Sequence, residues 1–313
     1  MKRTLCFTSL FILLIACILT HSSLSLYYAL NGLELWYRKM IPALLPFMIL
    51  SGIMIRMHLT EQFSRLLYPV LGRLYRISRN GCYALFMGFF CGFPMGAKTI
   101  QELYTRKRLS FREACFLLSF CNNIGPVYFC SFVLPLLGRK LIFPYLLGMY
   151  GIPLLYGLTL RYTCFRDISE ADRVGSKASC PETTDDKMKL LDAVDSAVHS
   201  SVQSMLILGG YMILFNLLNI LPHLFLGKPA IFIAPLLEIT GGLSILKHRL
   251  PLYSLLLLSF GGFSCIAQTY SCLKGSELCD YLNPYVLHKL LLCLFTLLYY
   301  LLWGVLSPES FLR

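Results

Sequence analysis

The stretch GFFCGFPMGAKTI, residues 88–100, interrupts an apolar segment with closely spaced helix breakers. Gly92, Pro94 and Gly96 lie near its middle, where a straight membrane helix would have none. Non-helical backbone at membrane depth is tolerated only where protein buries it or a watery cavity solvates it. The segment therefore predicts a re-entrant, broken hairpin, and the alternative is an ordinary kinked helix.

The composition predicts the class of protein. Of 313 residues, 57% are hydrophobic and only 14% are charged, which is too little charge for a soluble domain. Several apolar runs have the length of about 20 residues that a membrane-spanning helix needs. We therefore expect an all-α polytopic membrane protein, with its clearest spans at residues 4–24, 40–57, 113–137, 141–160, 200–221 and 285–306.

The formal net charge of +12 is explained by the loops between the apolar runs. Basic residues cluster at 56–79 and 106–112, as the positive-inside rule produces on the cytoplasmic side. We expect the chain to lie in a lipid bilayer, and we expect no nucleic-acid partner. Residues 161–195 mix both charge signs and predict a polar cytoplasmic linker. It would separate an N-terminal helix and amphipathic connection (1–39) and a first half (40–160) from a second half (196–313).

The sequence contains no recognisable catalytic constellation, so we do not expect an enzyme. Most of the thirteen cysteines lie in apolar runs, where they behave as small hydrophobic residues. We expect no metal site and no cofactor. Leu14-Ile15-Ala16-Cys17 resembles the end of a lipoprotein signal, so both a lipidated Cys17 and an uncleaved first helix are left open.

Residues 66–103 align with residues 236–273 at a constant offset of 170, with twelve of 38 positions identical. A fixed internal offset is typical of duplicated structure. The alignment pairs GFPMGAKT (92–99) with GFSCIAQT (262–269), and Gly261 and Gly262 would break the second copy. We predict inverted structural repeats with two broken hairpins, as in many secondary transporters. The inversion requires that residues 228–248 lie in the interface, and a crossing helix is the alternative.

Paired interrupted segments in two halves point to a transporter binding site. In the first, Lys98 stands where the second has Gln268. A lysine at membrane depth costs about 2.5–3.5 kcal/mol on insertion scales, so we expect Lys98 to face a central cavity and bind an anionic group. The alternatives are that it reaches the cytoplasmic edge or pairs with Glu102 one turn later.

The segment SFCNNIGPVYF, residues 119–129, supplies further candidates. Pro126 has no N–H and its ring clashes with the carbonyl of Asn122, so the helix should unwind around Gly125. The unwound carbonyls and the Asn122 and Asn123 amides could bind a solute or ion, and the alternative is hydrogen bonding between helices.

In the second half, we expect Ser264, Gln268 and Thr269 to contribute to the same site. Glu238 is the only acid between residues 196 and 276, and an isolated acid in an apolar segment is a candidate functional group. It could bind a coupling proton or cation, or a substrate hydroxyl. The alternative is an exposed acid at the membrane interface.

The block 88–129, followed by LLEITGG (236–242) and SFGGFSCIAQTYS (259–271), resembles the nucleoside-recognition or Gate-domain membrane proteins, and among them the YlbJ-type sporulation proteins. The resemblance runs from about residue 41 to the last span. It implies kinship with concentrative nucleoside transporters, with inverted repeats and two re-entrant hairpins. It also implies a place in the outer forespore membrane and a part in delivering dipicolinic acid, a flat dicarboxylate. Lys98 and two positive helix termini would suit such an anion.

Three functions therefore stand. The first is transport of dipicolinate or a similar small anion during endospore formation. The second is transport of nucleosides or another neutral solute, and the third is a membrane assembly factor that transports nothing. A homo-oligomer is left open.

Overall fold

The computed structural model describes residues 2–137, 142–168, 190–247 and 250–306. All regular secondary structure in these residues is helical. Within them, five helical runs are long and apolar enough to cross a membrane: Ser22–Arg56, Ile142–Tyr162, Leu190–Leu226, Pro251–Leu273 and Glu277–Gly304. The prediction of an all-α polytopic membrane protein is confirmed.

The chain begins with α1 (Lys2–Thr20) and a second, longer helical run. In this run α2 (Ser22–Leu35) continues through a π-helical turn, Trp36–Met40, into α3 (Ile41–Arg56). The connection predicted before residue 40 is thus helical and joins the next span without a break. Two short helices follow, α4 (Thr60–Ser64) and α5 (Tyr68–Tyr75).

The rest of the first half contains a hairpin, a broken helix and a span. The first hairpin consists of α6 (Arg79–Phe90) and α7 (Met95–Thr105), which pack against each other. The first broken helix has α8 (Phe111–Leu118), a non-helical segment at 119–125 that we call the first break, and the helical run 126–137. That run comprises α9 (Pro126–Tyr128), a π turn (Phe129–Val133) and α10 (Leu134–Leu137). The span comprises α11 (Ile142–Leu146), a π turn (Leu147–Gly151) and α12 (Ile152–Tyr162).

Most of the linker predicted at 161–195 lies outside the described residues. The second half then opens with α13 (Leu190–Leu217) and α14 (Ile220–Leu226). It continues with α15 (Ala230–Leu237), α16 (Ile239–Leu246), α17 (Pro251–Phe260) and α18 (Gly262–Leu273). A 3₁₀ turn (Glu277–Tyr281) leads into α19 (Leu282–Leu306).

The second hairpin lies at 230–246, so its expected position around Gly261 and Gly262 was wrong. Helices α15 and α16 fold back and pack side by side, with only Glu238, in extended conformation, between them. A Cβ on Gly242 would lie 2.2 Å from the backbone of Pro235, so the two helices approach at a glycine. Each helix of eight residues is about 12 Å long, too short for a hydrocarbon core of about 30 Å. Residues 228–248 therefore do not cross as one straight helix.

Residues 251–273 form a second broken helix. Its halves, α17 and α18, do not pack along each other. They are separated at Gly261, whose φ is +85°, and we call Gly261 and Gly262 the second break. The sequence thus located this break correctly but assigned it to the wrong kind of element.

Hairpin, broken helix and span follow in the same order in both halves. In the first half they occupy 79–105, 111–137 and 142–162, and in the second 230–246, 251–273 and 282–306. The offset of 170 pairs a hairpin with a broken helix, so that register was wrong. Both kinds of element are apolar and contain glycine at a break, which is why their sequences align. The inverted relation between the halves stays a prediction.

The long helices that precede the two sets pack against each other. Helices α2 and α3 of the first half pack along α13 of the second half. The Trp36 indole N–H donates to the Met205 carbonyl at 2.9 Å. Residues of both long helical runs line one volume together with the two hairpin tips.

Candidate functional site

Each hairpin tip packs against the break of the helix that follows it. In the first half, the Phe93 N–H donates to the Asn123 carbonyl at 2.8 Å. A Cβ on Gly92 would lie 2.2 Å from the Gly125 nitrogen. In the second half, a Cβ on Gly262 would lie 3.1 Å from the Pro235 carbonyl oxygen. The close contacts explain why glycine occurs at both hairpin tip and break.

Backbone conformation gives these glycines a second reason. Gly92 has φ of +81° and Gly262 has φ of +79°, a region that residues with a Cβ rarely adopt. Pro94 precedes the first residue of α7 and ends the tip as expected. Gly96 was predicted to break the hairpin but lies inside the first turn of α7. Its absence of a side chain instead leaves room for Asn122, whose Oδ1 would be 3.0 Å from a Cβ there.

The predicted unwinding before Pro126 is confirmed, and protein groups satisfy the freed carbonyls. The Asn123 amide donates to the Phe120 carbonyl at 2.6 Å, and the Tyr150 hydroxyl donates to the Ile124 carbonyl at 2.9 Å. The expected single span 113–137 is therefore two helices joined by irregular backbone. Such backbone is stable at membrane depth because it is buried in protein.

A cavity of about 50 Å³ lies between the two hairpin tips, the first break and the first two turns of α18, which follow the second break. Residues from all four of these elements line it, together with residues from the long helices: Cys91, Phe93, Ile124, Gly125, Tyr128, Glu238, Ile239, Thr240, Cys265, Gln268, Met40, Ala43, Leu44, Leu208 and Met212. We call it the central cavity. Its wall is mostly apolar, with polar side chains from both halves. A space of this size holds a few water molecules, so binding a solute would require the elements around it to move apart.

Glu238 lies in the wall of the central cavity and caps α16. Its side chain accepts hydrogen bonds from the backbone N–H of Thr240 at 3.1 Å and of Gly241 at 2.6 Å. The Asn216 amide of α13 donates to it at 3.1 Å. Glu238 is only 2% exposed, so the alternative of a surface acid is excluded. Its first role is to hold the second hairpin tip in place.

Gln268 connects the central cavity to a neighbouring one of about 50 Å³, because it lines both. We call the neighbour the side cavity. The Gln268 amide donates to Ser264 Oγ at 3.0 Å, one helical turn earlier. Ser264 is fully buried and does not line either cavity.

Lys98 lies in the wall of the side cavity rather than the central one. Its Nζ donates to Ser204 Oγ at 2.9 Å and to the Ser200 carbonyl at 3.3 Å. Glu102 Oε1 lies 3.9 Å away, so the alternative of pairing along the helix describes part of its surroundings. The position still gives a buried cation access to a space next to the central cavity.

Asn122 and Thr269 form a buried network behind the central cavity. The Asn122 amide donates to Thr269 Oγ1 at 3.1 Å and to the Tyr285 hydroxyl at 3.2 Å. The alternative of hydrogen bonding between helices is therefore what the structure shows for Asn122. The network joins the first break to α18 and α19, and so joins the two halves.

Lys289 is the residue that sequence reasoning missed. It is 0% exposed in α19, and its Nζ donates to the Asn122 carbonyl and to Asn123 Oδ1, the latter at 3.0 Å. The Phe93 ring centroid lies 4.5 Å from Nζ. The available signal was a lone cation inside the apolar run 285–306, which is a functional candidate by default. The aligned residues 236–273 end before Lys289, so the alignment paired Lys289 with no residue of the first half.

The chain is similar in sequence to known membrane proteins. Residues 37–141 match the family model of nucleoside recognition, or Gate. The chain is 30% identical over 234 residues to the sporulation integral membrane protein YlbJ of Bacillus subtilis (strain 168). The match covers 69% of this chain and 56% of that relative, so the chain spans little more than half of the relative's length. No solved structure matches the chain.

Proposed function

Because residues 37–141 of the chain form a nucleoside-recognition (Gate) domain and most of the chain is similar to a sporulation membrane protein, we propose that it transports a small solute during endospore formation. The observation that carries this proposal is the central cavity, lined by two hairpin tips, the first break and the helix α18 that follows the second break. Secondary transporters place their substrate sites at such discontinuous helices. A membrane assembly factor would have no need for irregular backbone around a cavity.

The solute we favour is a small anion with a flat ring, of which dipicolinic acid is the expected example. Phe93 and Tyr128 supply aromatic surface in the cavity wall. Lys98 lines the side cavity, and Lys289 lies directly behind Phe93. Two buried cations near one cavity favour a negative substrate, because opposite charges attract more strongly in a low-dielectric interior than in water. The corresponding location would be the outer forespore membrane.

A neutral nucleoside is the second candidate, and the acid in the central cavity favours it. Glu238 of the second hairpin and Gln268 of the second broken helix both line that cavity. A carboxylate and an amide suit the hydroxyls and base edges of a nucleoside. A carboxylate in the same wall would repel a dianion.

Uptake into vesicles separates these candidates. Purified protein in lipid vesicles is given labelled dipicolinate or labelled uridine, beside Lys98→Gln and the exposed control Lys274→Gln. We expect saturable dipicolinate uptake, at least about tenfold lower in Lys98→Gln, which corresponds to about 1.4 kcal/mol, and unchanged in the control. Saturable uptake of uridine alone would favour the nucleoside. Uptake of neither compound by folded protein would contradict both candidates and favour the assembly factor.

A further inference from the structure

We propose that Lys289 is a built-in cation that occupies a monovalent-cation site at the first break, in place of Na⁺ or K⁺. The first observation is the set of groups around its Nζ. A backbone carbonyl of the unwound segment, an amide oxygen and an aromatic face converge on it, from Asn122, Asn123 and Phe93. These groups present partial negative charge to one buried point.

This set of groups is the one that cations use in membrane proteins. Carbonyls of unwound helices coordinate Na⁺ in secondary transporters, and an aromatic face adds attraction for a cation. The Asn122 carbonyl lies in the first break, where no helical N–H is available to it. A cation at this point therefore satisfies backbone that the fold has unwound.

The ammonium of Lys289 is covalently attached to the chain, so it cannot dissociate as a bound metal ion can. None of the ion pairs found among the described residues involves Lys289. A metal ion beside the ammonium would add a second positive charge with no acid to balance either. Lys98 differs, because it has Glu102 and two serines as partners. We infer that the first break excludes Na⁺ and K⁺ as long as Lys289 fills it.

Lys289 also connects this site to the central cavity. Its ammonium contacts Phe93, whose ring lines the cavity and meets the second break at Gly261, where a Cβ would lie 3.0 Å from the ring. One side chain thus holds the first hairpin tip, the first break and α19 together. A cation that cannot leave cannot be carried across the membrane with a solute. If the proposed function holds, solute movement should then be independent of a Na⁺ gradient.

Thermal unfolding of the purified full chain tests the site without relying on transport. Lys289→Ala leaves a space for a cation, Lys289→Met fills that space with an uncharged chain, and Lys274→Ala is the exposed control. Each protein is titrated with sodium, potassium or ammonium chloride, at an ionic strength held constant with choline chloride. We expect the wild type and the control to unfold at the same temperature in all salts.

Both Lys289 variants should unfold at lower temperature in choline chloride. Only Lys289→Ala should recover, with a saturable rise in Tm in at least one small cation, because a bound ion stabilises the folded state by mass action. A saturable, Na⁺-specific rise in wild-type Tm would overturn the proposal. So would a Lys289→Ala protein that is folded and shows either no loss of Tm or no specific recovery. If Lys289→Ala folds in no salt, the wild-type series alone decides.

Uptake then separates this inference from the proposed function. Equal wild-type uptake in sodium and choline media would support both. Uptake driven by a Na⁺ gradient would overturn the built-in cation and leave the transporter standing. Absence of uptake would contradict the transporter, while the thermal result for Lys289 would stand by itself.

Discussion

The contact between the first hairpin tip and the first break can be tested at Gly92, with Gly275 as a matched control. The two glycines have nearly the same positive φ, +81° and +84°. A Cβ on Gly92 would lie 2.2 Å from the Gly125 nitrogen and 2.9 Å from the Asn123 carbonyl oxygen. A Cβ on Gly275 would meet nothing within 4 Å. Alanine variants of the two glycines therefore separate the stability lost through backbone conformation from the stability lost through packing.

The expected magnitudes follow from this difference. Alanine in the left-handed region costs roughly 1–2 kcal/mol at either position. Forcing an extra methyl group into a packed site costs about 1–3 kcal/mol more, and at Gly92 the neighbouring atoms are backbone, which cannot turn aside. We expect Gly92→Ala to lose about 2–5 kcal/mol of stability in total. We expect Gly275→Ala to lose only about 1–2 kcal/mol.

The buried cysteines allow both variants to be measured. Cys82, Cys115 and Cys121 are buried, whereas Cys130 and Cys164 are exposed. Once the accessible thiols have been blocked in the folded protein, a thiol-reactive fluorophore reports the exposure of the core as the protein is heated in detergent. Gly92→Ala should unfold at a clearly lower temperature than Gly275→Ala. Equal losses in the two variants would mean that the tip does not lie against the break in the native protein, and the reasoning about both hairpins would fail with it.

Two further predictions concern the second hairpin. Glu238→Ala should lose about 1–3 kcal/mol, because it removes the cap of α16 and one of the two hydrogen-bond acceptors of the Asn216 amide. Thermal unfolding beside Glu238→Gln, which keeps one acceptor oxygen, should show an intermediate loss for the glutamine, and a fully stable alanine variant would contradict the cap. Gly242→Ala should lose about 1–3 kcal/mol, because its Cβ would lie 2.2 Å from the Pro235 backbone. Gly210→Ala, also in a helix but with nothing within 4 Å, should lose nothing, and equal behaviour of the two would argue against the fold-back of α15 and α16.

Several features of this protein could be predicted from its sequence because their causes are local. The apolar runs predicted a helical membrane protein, since only helices of sufficient length satisfy every backbone group in the hydrocarbon core. Breaks at Gly92, Gly125 and Gly261 were predictable because glycine frees the backbone, and proline restricts it, at its own position. The polar character of Glu238 and Gln268 singled them out in the same way, and both line the central cavity.

Only the tertiary structure decided which interrupted segments fold back and which continue as broken helices. The difference at 230–246 depends on how closely Gly242 approaches Pro235 across the hairpin, and apolar composition is the same in either case. The partners of buried polar groups were equally out of reach. Lys289 meets Asn122 and Asn123 from more than 160 positions away in the chain, and no periodic pattern records such a contact. A local break depends on one or two residues at that position, whereas the site depends on long-range packing that brings two hairpin tips, the first break and α18 around one cavity.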